Sequence, residues 1–292
     1  MSTLAKTARE WLDSEGRYVD SETYHLDCSI IGNSGKERFI ESPRVYESEY
    51  VTRTSVRSET KDLRIGIYSH VAQFEPDAWR ARYLCEPEYE TDGRTTAGKA
   101  ERAQFAADCI GRVKCDRKEY LMAQQVVAAI RRNKLASSLL DEEGPTERPI
   151  VWQHEKTGLW LKNKQDKFIT ARNWIVDLKT KTGSVKPEAL KSEIQNRAMY
   201  RNADFYVQGH LALTGEQPVY LFLFVSKTTF EVALIELRDD WLLAGYHENE
   251  KAIRDMARAR ETGIYLAEHE TQVTLLGLPA WAFRQDFELE VE

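Results

Sequence analysis

An acid and a lysine stand two residues apart in the segment Ile175-Val176-Asp177-Leu178-Lys179-Thr180, and Asp166 lies eleven residues upstream on another apolar run. In an extended strand residues i and i+2 share a face, so Asp177 and Lys179 project side by side while Val176 and Leu178 pack behind. A carboxylate binds a cation and an ammonium steadies a nucleophilic water, which is the minimum of a metal-dependent phosphodiester-cleaving site. By spacing alone the same two residues read equally as an exposed strand-face ion pair, worth little.

The elements that must position these residues can be sketched from pattern. Residues 1–60 are polar and weakly patterned, with a Ser42-Pro43 turn and strand-like character over 50–57. Leu63 to Phe74 reads as a helix carrying Gly66 and His70, punctuated by Glu75-Pro76-Asp77. A polar loop over 91–99 precedes a helix expected from Arg117 to Leu140, so two helices come before the chemistry. The turn Glu142-Glu143-Gly144-Pro145 leads into Glu147 and a strand-like Pro149 to Gln153, then a hairpin-like connection at His154 to Gly158 into a strand from Leu159 to Thr170. A turn centred between Arg172 and Asn173 sets Asp166 opposite Lys179, on the face of both candidates. A one-residue slip turns it away, and the sequence does not choose. Beyond the site follow a largely helical Pro187 to Leu213, a hairpin of Val219–Val225 and Phe230–Leu237, and a helix from Asp239 to Arg260.

Composition limits the class of protein. The chain has 292 residues, net charge −6 and 42% hydrophobic content, enough for a sizeable core. It shows neither a leader pattern nor eighteen consecutive apolar residues, so a soluble protein inside the cell is expected, with no membrane partner. Cys28, Cys85, Cys109 and Cys115 form no CxxC pair and no zinc-finger spacing, so scattered reduced thiols are expected, and no iron–sulfur cluster. Between Lys156 and Arg201 stand eleven Lys and Arg against four Asp and Glu. Such a patch draws in a phosphate backbone, with lysines on solvated faces as the plainer reading. His154 and His210 read as surface or helix histidines.

The ordered set of residues resembles the RecE (exonuclease VIII) type of phage and prophage exonucleases, within the PD-(D/E)XK nuclease superfamily that also includes lambda exonuclease. The resemblance runs over nearly the whole chain. It rests on Tyr24-His25, Ser42-Pro43 with Tyr46, then Leu63, Gly66, His70 and Glu75-Pro76. Gly144, Glu147, Trp152, Thr157-Gly158-Leu159, Asp166 and Asp177-Leu178-Lys179-Thr180 carry its centre, and Gln208 and Leu278-Pro279-Ala280-Trp281 its end. The chain departs from the pattern at Lys164, where relatives often have Arg, and at Phe205 and Ala212, where tyrosines flank the helix glutamine.

The resemblance implies an α/β fold, a PD-(D/E)XK core with a central mixed β-sheet flanked by helices, in one compact domain over 61–292 with an N-terminal extension over 1–60. It implies a magnesium-dependent exodeoxyribonuclease, manganese being possible, that degrades one strand of linear double-stranded DNA 5′ to 3′ in phage-type recombination. Asp166, Asp177, the Leu178 backbone carbonyl, Glu147 and His70 are the expected metal ligands. Lys179 is expected to hold the attacking water, Gln208 to place Lys179 or the scissile phosphate, and Lys162, Lys164 and Lys181 to contact DNA. A homo-oligomeric ring, a single-strand annealing partner and the cytoplasm of a bacterial host cell are implied as well. Two other readings stay open: a DNA- or partner-binding module with the fold but little cleavage, and an endonuclease using the same site.

Overall fold

A computed structural model of the protein describes residues 29–56 and 58–278. The expected motif pieces Tyr24-His25 and Pro279-Ala280-Trp281 lie outside the described residues. In chain order the elements are β1 (Ile31–Gly32), α1 (Asn33–Glu41), α2 (Pro43–Tyr46), α3 (Lys61–Phe74), α4 (Pro76–Arg82), β2 (Tyr83–Cys85), α5 (Thr96–Asp108), β3 (Val113–Cys115), α6 (Arg117–Arg132) and α7 (Lys134–Asp141). Then follow β4 (Thr146–Gln153), β5 (Trp160–Ile169), β6 (Trp174–Lys181), α8 (Pro187–Asn196), α9 (Met199–Thr214), β7 (Val219–Ser226), β8 (Val232–Glu236) and α10 (Asp239–Thr262).

The central sheet runs β1-β5-β6-β7-β8, with β4 also paired to β5. It is mixed: β1/β5 and β6/β7 are parallel, and the β4/β5, β5/β6 and β7/β8 pairs are antiparallel. Strand β7 shows how the sheet is held. Leu221, Leu223 and Val225 pack with Phe74 of α3, Val126 and Ile130 of α6 and Leu139 of α7. Tyr220, Phe222 and Phe224 pack with Leu190 and Ile194 of α8 and Ala203 and Val207 of α9. A strand covered on both faces reads as an unbroken apolar run, as Val219 to Val225 does. Helix α3 is thereby fixed against β6, which is what brings His70 to the strand of Asp177 and Lys179.

Several expectations change. The long helix over 117–140 is two, because Asn133 leaves the helical conformation and its side-chain oxygen accepts the Ala136 N–H at 3.0 Å, capping α7. Helix α5 begins inside the expected loop, where Thr95 Oγ1 caps Gly98 N at 3.0 Å. Five helices therefore lie between residue 60 and β4 rather than two. The strand-like stretch over 50–57 is no strand up to residue 56: a π-helical turn, Glu47–Val51, opens it. The stretch assigned to an extension also reaches into the main body. Ile31 pairs with Leu161, and Phe39 and Tyr46 join Trp152, Phe205 and Met256 in the core.

Candidate active site

Strands β5 and β6 pair only over Lys167–Ile169 and Trp174–Val176. Beyond that the ladder stops, which leaves the peptide of Leu178 without a partner on the β5 side. Two side chains take its place. Asp166 Oδ2 accepts the Leu178 N–H at 2.8 Å, and His70 Nε2 lies 2.8 Å from the Leu178 carbonyl. A carbonyl only accepts, so Nε2 carries the proton. His70 Nδ1 is then 3.2 Å from the same Asp166 Oδ2, closing a ring of contacts from α3 through β5 to β6. The register differs from expectation by two residues: Lys167 faces Val176, which sets Asp166 against Asp177 instead of Lys179. A shift of two keeps the parity that a shift of one would lose.

Glu147 arrives from β4. The ladder partners on either side of it, Thr146↔Lys167 and Arg148↔Gln165, place it at the level of Asp166. Its backbone is left-handed, φ 50°, inside a strand. Such a conformation in a non-glycine residue costs of order 1–3 kcal/mol and persists only where the surroundings impose it. The preceding turn is equally constrained. Gly144 has φ 149°, and a Cβ there would meet the Phe168 carbonyl oxygen at 1.8 Å. Gly144→Ala is expected to destabilise the fold by about 3 kcal/mol or more and to displace Glu147. Denaturant unfolding checks it, and a variant as stable as the wild type would contradict it.

Single ligand atoms of His70, Glu147 and Asp166 lie within 4.8 Å of one another. Glu147 Oε1 is buried with no hydrogen-bond donor, while Oε2 meets Lys164 at 2.5 Å. Burial and the charge of Asp166 push the Glu147 carboxyl up, against the pull of Lys164. Beside this cluster Asp177, 1% exposed, is paired with Lys179, whose ammonium side chain is 29% exposed. Burial raises the Asp177 carboxyl, Lys179 opposes, and Asp166 adds to the rise. Tyr220, which the sequence reading missed, lies buried against Asp177, and its hydroxyl is raised well above the ordinary value by burial and then by that charge. Its signal was one phenol in an otherwise apolar strand.

The family model of the PDDEXK-like domain of unknown function (DUF3799) matches residues 34–264. The chain belongs to this family. The fold of this PDDEXK-like protein is also similar to a crystal structure of a Eubacterium rectale protein provisionally described as an exonuclease, with TM-score 0.62 and 17% identity over 89% of this chain and 95% of that one. At that identity the likeness shows the fold. A second solved structure, SSO0001, has TM-score 0.28 and 10% identity over 64% of this chain and 86% of that one, and carries no argument. No curated protein matches. These findings agree with the RecE-type resemblance, and a nuclease is the class of activity they support.

Not every expected residue of the PDDEXK-like protein stands where it was placed. The amide of Gln208 donates to Asp204 Oδ1 at 3.1 Å, one turn earlier on α9, and so is engaged there instead of at Lys179. Lys162 is buried where β5 runs between β1 and β4, which removes it from the surface expected of a DNA contact. Lys181 is nearly buried too, donating to the Ser184 carbonyl at 2.7 Å with Glu193 at 3.7 Å. Lys164 faces Glu147. The Leu178 carbonyl, expected as a ligand, accepts from His70. His154 and His210 lie outside the cluster, and His210 is a helix histidine, on α9, buried beside Phe168. No helix among the described residues is long and apolar enough to cross a membrane.

The His70–Asp166 contact has a pH signature. Burial pushes the His70 value down, but the charge and hydrogen bond of Asp166 outweigh it and raise it. Burial likewise raises the Asp166 carboxyl, and His70, Lys179 and the Leu178 N–H together bring it below the usual value. The histidine contribution is complete below an unfolded value of about 6.5 and is lost as pH rises through the higher folded one. The aspartate contribution is complete above about 3.9 and is lost as pH falls through the lower folded one. In EDTA, thermal melts from pH 5 to 8 should therefore show an alkaline decline that His70→Gln flattens. Parallel profiles would remove the pair from the stability of the metal-free protein.

Proposed function

We propose that this PDDEXK-like protein is a metal-dependent DNA exonuclease that degrades one strand of linear double-stranded DNA, 5′ to 3′, in phage-type recombination. The observation that carries the reading is the convergence of His70, Glu147 and Asp166 from a helix and two strands, beside the Asp177–Lys179 pair. The donor-free, buried Glu147 Oε1 fits a cation, and the two carboxylates suit magnesium or manganese, the imidazole favouring manganese as the softer of the two. A divalent ion held there supplies Lewis-acid polarisation of a phosphate oxygen and a lowered pKa for water.

The remaining chemistry belongs to the chain. Asp177 holds the Lys179 ammonium at the partly exposed mouth of the site. From there its three donors serve the attacking water and the charge that develops on the phosphoryl oxygens. Leu178, through its N–H, orients Asp166, whose carboxyl His70, Lys179 and that N–H together hold below its usual value, and through its carbonyl fixes the His70 tautomer with Nδ1 toward the carboxylates. Strand polarity, the ring, the annealing partner and a bacterial host cytoplasm follow from the RecE-type resemblance alone.

Digestion of end-labelled linear duplex beside closed circular DNA, with magnesium, tests the reading. Loss of the linear duplex only, with the 5′ label released first, is the expected result. Cutting of circles would make the protein an endonuclease, and duplex binding without cleavage under magnesium or manganese would make it a binding module.

A further inference from the structure

Lys164 projects from β5 two residues before Asp166. Its side chain is 18% exposed, and its ammonium lies 2.5 Å from Oε2 of Glu147, itself 12% exposed. The other oxygen of that carboxylate is buried without a donor. Glu147 holds this position from a strained left-handed backbone. A strained residue thus presents a carboxylate to the ligand cluster, one oxygen lacks a donor, and the charge on the other is balanced by a lysine from the neighbouring strand.

The geometry points to Lys164 as an exchangeable counter-charge that holds Glu147 until a divalent ion binds and then turns to a phosphate of the nucleic acid. The inference rests on the proposed ion-dependent nuclease reading and adds the residue that couples its two ligands. Its physical basis is competition. One carboxylate cannot serve an ammonium and a divalent ion equally, because the two cations repel each other across a few ångströms. A lysine ammonium is a single strongly hydrated point charge on a flexible stem, whereas arginine would grip Glu147 through two parallel bonds. Lysine therefore suits exchange, and phosphate oxygen is the acceptor that a freed ammonium at this mouth meets when the polyanion arrives. Ion binding then strengthens phosphate binding and, by reciprocity, phosphate strengthens ion binding.

The probes are calcium, titrated into the free protein by calorimetry, and a fluorescein-labelled duplex, followed by anisotropy in EDTA and in calcium. Lys164→Met is expected to bind calcium about fivefold tighter than the wild type, the competition of one partly exposed ion pair, and to lose most of the calcium-dependent gain in duplex affinity. Glu147→Gln is expected to raise duplex affinity in EDTA about fivefold, because Lys164 is already released. Lys164→Arg keeps the charge, grips harder and should bind calcium more weakly, which keeps the test available if the methionine variant does not fold. Lys164→Met or Lys164→Arg with wild-type calcium affinity, or Glu147→Gln with unchanged duplex affinity in EDTA, would overturn the exchange while leaving the nuclease reading standing. A wild type that binds neither calcium nor magnesium would overturn both.

Discussion

Lys179→Ala is expected to lower the single-turnover rate of duplex cleavage by about 10²–10⁴-fold while duplex binding stays within a few-fold of wild type. The side chain is partly exposed and contacts Asp177, so it contributes little to the core, and its loss is felt where charge develops during phosphoryl transfer. A purely structural role predicts the opposite division. Removing the ammonium leaves Asp177 buried without its cation, and because burial already raises that carboxyl, it protonates instead of remaining as an unpaired charge. The fold is therefore expected to survive with a modest loss of stability, and circular dichroism should show it. Cleavage within tenfold of wild type would remove Lys179 from the mechanism.

Asp166→Asn should abolish turnover through a different cause, the loss of ion binding. Oδ2 of Asp166 serves the Leu178 N–H and faces His70 Nδ1. An asparagine carbonyl retains the first contact, so the strand is still tied, but one of the two carboxylate charges of the ligand cluster is gone. Magnesium or manganese affinity by calorimetry is expected to fall by at least about 100-fold, since even partners behind metal ligands cost 10–100-fold when removed. An independent sign should appear in the metal-free protein. Asp166 is what raises His70, so the histidine should titrate at lower pH in the variant, as nuclear magnetic resonance of the ring protons would show. Unchanged ion affinity would take Asp166 out of the ligand set.

The relation of Asp177 to Lys179 was legible in the sequence because a strand has period two, and the parity of Asp166 survived a register error of two for the same reason. The error itself has a local cause. The β5–β6 connection is a 3₁₀ turn, Thr170–Arg172, closed by left-handed Asn173, which shifts its centre by one residue toward β5. Three things were not legible. The parting of β5 and β6, which creates the site, is a failure of pairing that no apolar pattern records. The left-handed backbone of Glu147 is imposed by the surroundings, since nothing in that side chain favours it. The basic count over 156–201 also ignored acids elsewhere in the chain: Lys156 meets Glu250, Arg172 meets Glu142, and Arg201 meets Glu37 and Glu248. Part of the apparent patch is thereby neutralised in the fold, while Lys162 and Lys181 are withdrawn from the surface by burial. Helix α5 was hidden by the polar, glycine-containing sequence at its start, where the cap at Thr95 is the only strong signal.

His70, Glu147 and Asp166 are expected to hold the divalent ion on which cleavage depends. The most direct test is an anomalous difference map at the manganese edge, from crystals of the wild type soaked in manganese. A strong peak bounded by those three side chains is expected. No peak there at a manganese concentration that supports cleavage in solution, or a peak held by other residues alone, would contradict that assignment.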